Sequence, residues 1–191
     1  MTHVIGLTGK AGSGKSTVAE FLHRRYDFTR IRFADRLKNM LRALGLTDAE
    51  IEGADKGKPC ARLGGVTPRF AMQTLGTEWG RNLIDENLWV NLWADDIKNH
   101  PLVVVEDVRF PNEFAMVRIL GGATWRIIRP DNDTGTVDTL TGRHASETEQ
   151  DAAEVDFNLL NNRGLRELYG QVEVTLRETR RLMMERKNVY A

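Results

Sequence analysis

The chain has 191 residues, 41% hydrophobic and 28% charged, and its 27 Lys+Arg balance 27 Asp+Glu. That length suits one domain with a core of ordinary size, and a formal net charge of zero speaks against a general nucleic-acid binder, which carries a basic excess. Cys60 is the only cysteine, which excludes an internal disulfide and points to a reducing compartment.

No apolar run reaches the roughly 18–20 residues of a membrane-spanning helix. An apolar strand begins by about Val4, too early for a leader peptide. The expectation is a soluble cytoplasmic protein with no membrane partner. His3–Thr8 ends at a glycine and reads as a buried strand. Val18, Phe21 and Leu22 follow at helical spacing. Thr29–Phe33 reads as a second strand. Leu37, Met40, Leu41 and Leu44 recur at i, i+3, i+4, i+7, a helix that Gly45 ends. Thr47–Pro68 is polar and glycine-bearing and reads as irregular, with Asp48, Glu50, Glu52 and Asp55 as solvated charges. Met72, Leu75, Trp79 and Leu83 mark one face of a helix, and Leu88–Lys98 is another, broken by His100-Pro101.

Leu102–Glu106 has the composition of a strand buried on both faces. Pro111 opens a helix to Leu120, stopped by Gly121-Gly122. Ala123–Arg129 is a strand, Pro130–Arg143 a loop and Phe157–Asn161 a last strand. Leu165, Leu168, Val172, Leu176, Thr179 and Met183 stripe a long terminal helix. Strands that alternate with helices five times predict an α/β fold, a five-stranded parallel sheet covered on both faces, in a single domain.

Gly9-Lys10-Ala11-Gly12-Ser13-Gly14-Lys15-Ser16 matches G-x-x-x-x-G-K-[ST] in full. The glycines let backbone N–H groups turn inward on an anion, and the helix that follows adds the positive end of its dipole. Lys15 would reach the β- and γ-phosphates of ATP, Ser16 would ligate Mg²⁺, and Ala11 to Thr17 would form the cradle. The motif predicts a P-loop nucleotide-binding protein.

Three classes of P-loop protein compete. A GTPase switch would need a guanine-reading N-K-x-D, which is absent. A motor ATPase is compatible with Glu106-Asp107, but the chain is short for one. A small-molecule kinase needs arginines at two sets of phosphates, and the arginines here suit that best. In an open parallel sheet ligands collect beyond the carboxyl ends of the strands. Those ends deliver the glycine loop, then Asp35 and Lys38, then Asp107 and Arg109, then Arg129. Beside the apolar stripe of the Met72 helix lie Arg69, Gln73, Gly76, Thr77 and Gly80. Two glycines inside a helix cost about 1 kcal/mol each against alanine. A ligand close by and tight packing explain them equally well.

The loop is followed in order by F-A-D-R-L-K (Phe33–Lys38), R-F-A-M-Q-T-L-G-T-E (Arg69–Glu78), L-W-V (Leu88–Val90), D-V-R-F-P-N-E (Asp107–Glu113), G-G-A-T-W-R-I-I-R-P (Gly121–Pro130), H-A-S-E (His144–Glu147) and N-N-R-G (Asn161–Gly164). This ordered set resembles the deoxynucleoside monophosphate kinases of tailed bacteriophages over nearly the whole chain. Residues 47–68 match nothing in that pattern, which leaves base preference open. The resemblance implies phosphoryl transfer from ATP to a dNMP in the host cytoplasm. It implies that Lys38, Arg69, Gly76, Thr77, Trp89, Arg109 and Glu113 surround the acceptor, and the acceptor-binding region is expected over about 35–93. It also implies a lid over about 130–151, and that the turn holding Asn162 lies near adenine. Asp35 and Asp107 join the acceptor side as carboxylates at strand ends. Trp89 stands one turn before Trp93, which is the spacing of core tryptophans.

Arg69 and Arg109 are the candidates for the acceptor phosphate, because guanidinium forks match phosphate oxygens. Arg129 and Arg143 are the candidates for the transferring group. A kinase for another acceptor is the alternative, dephospho-coenzyme A or phosphomevalonate, as is a P-loop ATPase that works on a macromolecule. No stable nucleic-acid partner is expected, and oligomeric state is left open, homodimer included.

Overall fold

The computed structural model describes residues 2–130 and 153–189. Arg143, His144, Glu147 and, apart from Pro130, the expected lid lie outside them. The residues fall into two compact units, 1–32 with 97–191, and 33–96.

The first unit is built on five parallel strands in the order β2-β3-β1-β4-β5. They are β1 (His3–Thr8), β2 (Thr29–Arg30), β3 (Leu102–Val105), β4 (Ala123–Ile128) and β5 (Phe157–Leu160). The expected Thr29–Phe33 strand contracts to two residues, although the Ile31 N–H still donates to the Val104 carbonyl at 3.2 Å. On one face, Ile5, Leu7, Val104, Trp125, Ile127 and Leu159 form a core with two helices. Helix α1 (Lys15–Tyr26) brings Val18, Ala19 and Leu22. The terminal helix brings Leu168, Val172, Leu176 and Met183, as its periodicity predicts, although Leu165 is exposed. Thr179 on the same stripe is buried because it accepts from the Trp125 indole N–H at 2.9 Å. On the opposite face α6 (Pro111–Ile119) packs against β1 and β4, and Gly6 leaves room there for Val117. All four loops that leave β1, β3, β4 and β5 therefore emerge at one edge of this sheet.

Residues 33–96 carry a core of their own, made of Leu37, Leu41, Leu46, Ile51 and Trp89. The elements are α2 (Asp35–Ala43), α3 (Asp48–Ile51), two single 3₁₀ turns (Ala54–Gly57 and Ala61–Leu63), α4 (Pro68–Gln73) and α5 (Leu88–Asp96), with a π-helical segment at Thr74–Ile84. The stretch expected to be irregular is thus folded. Thr47 and Glu50 cap α3 reciprocally. The two bonds from Thr47 hold the Glu50 carboxyl below its ordinary pKa, and a third comes from the Cys60 thiol at 3.2 Å. Glu52 pairs with Lys38 at 3.0 Å. These acids are fixed rather than merely solvated.

The π segment also revises the expected stripe. Hydrogen bonds from i to i+5 widen the turn, so side chains four apart no longer stack. Trp79 and Leu83 come out exposed, while Met72 and Leu75 pack on the core.

Candidate active site

The loop after β1 has to turn back within a few residues, and two glycines allow it. Gly9 has φ 135°, and a Cβ there would sit 2.3 Å from the Ile127 carbonyl oxygen. Gly14 has φ 110°, and a Cβ there would sit 2.6 Å from the Asn161 amide nitrogen. Gly14 then begins α1 with no side-chain cap, and the first turn carries no acid. The opening N–H groups of a helix have no partner within it, and here the first turn offers them no acid of its own. An anion is the partner they suit.

The Lys15 ammonium lies over this loop and donates to the carbonyls of Gly9 and Lys10, the second at 2.9 Å. Burial, and next the Arg109 charge, push its pKa down to about 8, while Asp107 and Glu106 pull it back up. Those three residues follow β3 directly. Glu106 is 5% exposed; one oxygen accepts from Arg30 at 2.7 Å, and the other has no partner among the described residues. The hydroxyls of Thr8 and Ser13 are likewise buried without a partner among them. Ser16 is exposed at the mouth of the loop.

A cleft of about 490 Å³ opens above the loop. Gly12, Gly14, Lys15, Ser16 and Thr17 form its floor, Arg129 one wall, and Asn161, Asn162 and Gly164 the other. The structure thus brings together Arg129 after β4, Asn162 after β5 and most of the loop residues expected there. Ala11 is exposed at the tip and does not line the cleft. Arg109 is exposed, and its guanidinium has no partner among the described residues. Its backbone N–H and that of Phe110 donate to Glu113 at 2.7 and 3.1 Å. Glu113 is 3% exposed. It caps α6, in place of the acceptor contact that the resemblance implies, because a carboxylate at the third position of a helix reaches back to the N–H groups before it.

Among residues 33–96, Arg69 is exposed in the first turn of α4 and unpaired among the described residues. Asp35 begins α2, and Thr77 lies half-buried in the π segment. Trp89 is a core residue, 4% exposed, and its indole N–H donates to the Gly76 carbonyl at 2.8 Å. It offers no face to a base. A Cβ on Gly80 would fall 2.6 Å from its ring nitrogen, and one on Gly76 would fall 3.0 Å from Leu37. Tight packing therefore explains Gly80, whereas Gly76 is partly exposed and has only the Leu37 methyl close by. Asn161 stood in the turn expected near adenine and Glu106 beside Asp107 as an acid after a buried strand, but neither was named as a site residue; their place directly after strand ends marks them in the sequence.

A family model for deoxynucleotide monophosphate kinase matches residues 66–172. A protein of Acanthamoeba polyphaga mimivirus named for the same kinase is 37% identical over 186 residues, covering 88% of this chain and 93% of its own. The deoxynucleotide monophosphate kinase of Escherichia phage RB69 is 30% identical over 57% of this chain and 44% of its own length. The solved shikimate kinase of Aquifex aeolicus shares the fold, with TM-score 0.53 at 14% identity, over 92% of this chain and 96% of that one. The P-loop kinase fold, the cationic cleft and these two relatives agree, and the chain belongs to the deoxynucleotide monophosphate kinase family.

Proposed function

We propose that this chain transfers the γ-phosphoryl group of ATP to a deoxynucleoside monophosphate, yielding a dNDP and ADP. The observation that carries this reading is the cleft over the glycine loop, with Lys15 on its floor and Arg129 on its wall, in a chain of this family. Phosphoryl transfer asks for alignment and charge neutralisation more than covalent help. The loop N–H groups and the α1 terminus hold the β-phosphate. Lys15 exchanges its two carbonyl acceptors for β- and γ-phosphate oxygens. Arg129 faces the charge that develops as the bond to the leaving ADP oxygen lengthens, with Arg143 assigned to the same group.

The acceptor's own phosphate has its second pKa near 6, so its oxygen attacks as an anion and no side chain needs to remove a proton. Asp35 and Asp107 are therefore positioning groups. Arg109 is the candidate cation for the acceptor phosphate in the first unit. In residues 33–96, Arg69 is the cation, and Lys38 and Thr77 are further contacts.

The donor atoms fit Mg²⁺: an exposed Ser16 hydroxyl, the Glu106 oxygen that has no partner among the described residues, and Asp107, all oxygen. When bound, the metal neutralises charge on the β- and γ-phosphates.

The test is an acceptor panel of deoxy- and ribonucleoside monophosphates, run with ATP and Mg²⁺ and resolved by chromatography. The expected result is a dNDP formed in step with ADP. ADP released with no phosphorylated acceptor from any member would overturn the assignment.

A further inference from the structure

Asn161 lies one residue past β5, and its side chain reaches 148 residues back along the sequence to the phosphate loop. Its amide nitrogen donates to the Ser13 carbonyl oxygen at 2.9 Å. Its own backbone N–H donates to the Ile128 carbonyl at 2.7 Å, which ties the residue to the end of β4. A carbonyl oxygen can only accept, so the nitrogen side of the amide must face it. The peptide that joins Ser13 to Gly14 is planar and trans, with its C=O and N–H pointing in opposite directions. A donor that fixes the Ser13 oxygen on the Asn161 side therefore turns the Gly14 N–H away from it. None of the described residues accepts from that N–H. Gly14 has no Cβ, and one would lie 2.6 Å from the Asn161 nitrogen, so the bare glycine leaves room for the amide.

We propose that Asn161 is a positioning residue that aims the Gly14 N–H at the polyphosphate of the nucleotide. This rests on the reading of the loop as the ATP site. It differs from a contact between the turn and adenine, because Asn161 acts through the loop and its effect follows phosphate whether or not a base is attached.

Asn161→Asp keeps the shape and loses the donor, and it sets a carboxylate oxygen against the Ser13 carbonyl. Asn161→Ala removes both. Binding of ATP and of inorganic tripolyphosphate is measured by calorimetry on the full chain, beside the melting temperature without ligand. The expectation is that both variants bind both probes on the order of tenfold more weakly, the size of one hydrogen bond to a charged group, with unchanged melting. Should Asn161→Asp fail to fold, Asn161→Ala decides alone.

ATP weakened with tripolyphosphate unaffected would assign Asn161 to the base and overturn the proposal. Wild-type affinity for both probes would overturn it too, as would a loss of affinity only in step with a lowered melting temperature. Lys15→Ala is the control. If it leaves tripolyphosphate binding intact, the reading of the loop falls. If it abolishes binding while the Asn161 variants bind normally, only the role of Asn161 falls.

Discussion

Lys15 is a lysine whose charged form is disfavoured in the empty protein. Its folded pKa is about 8, against 10.5 ordinarily, with burial as the largest cause. The folded value lies below the unfolded one. Below pH 8 the chain therefore carries the full cost of a buried ammonium, and the cost is relieved as pH rises from about 8 to about 10.5. A bound polyphosphate reverses the balance, because an adjacent negative charge favours the ammonium. Nucleotide binding at pH 8.5 is thus expected to take up a proton, and affinity to fall as pH rises past 8. Calorimetry in two buffers of unlike ionisation enthalpy reads the proton directly. Lys15→Met should abolish the uptake. It should also raise the melting temperature of the ligand-free protein at pH 7, and that gain should shrink toward pH 10. Proton uptake that persists in the variant would place the titrating group elsewhere.

At the level of elements, β5 is an edge strand among the described residues, and an edge strand leaves N–H and C=O groups open to another chain. The terminal helix guards part of it. The Gln171 side chain accepts from the Leu160 N–H and donates to the Leu160 carbonyl, both at 2.8 Å. One amide thus copies the pairing of a neighbouring strand. Gln171→Ala is expected to lower stability by about 1 kcal/mol and to raise self-association at high concentration, read by sedimentation velocity against the wild type. An unchanged distribution would mean that water satisfies the edge equally well.

What was legible at this scale follows from the range of the forces. The glycine loop, α1 and the stripe of the terminal helix depend on local dihedrals and a fixed period, so the sequence carried them. Trp79 and Leu83 were misplaced because the π segment abandons the 3.6-residue period on which the stripe was counted. Trp89 was misread because its partner, the Gly76 carbonyl, lies across a fold and not along a helix. Glu113 was legible as a cap, with Pro111 at the first position and the acid at the third, although the resemblance gave it a ligand role. Asn161 could not be paired with Ser13 by any spacing rule.

For the whole molecule, the consequential feature is that 33–96 leaves and re-enters the first unit while keeping its own core. A segment inserted in this way needs its ends held, while the core around Leu7, Trp125 and Leu159 is filled by strands, α1 and the terminal helix, all outside 33–96. Damage is therefore expected to spread in one direction. Ile51 is fully buried in the core of the insertion, and Ile51→Ala should cost about 2–5 kcal/mol there. Hydrogen exchange followed by mass spectrometry should show lost protection across 33–96 and near-native protection in β1, β3 and β4. Leu7→Ala, equally buried but on the central strand, should lose protection in both units, because local opening of the sheet frees the insertion's ends. If Ile51→Ala instead lowers protection of β1 as much as that of α2, the two cores unfold as one cooperative body and the asymmetry does not exist.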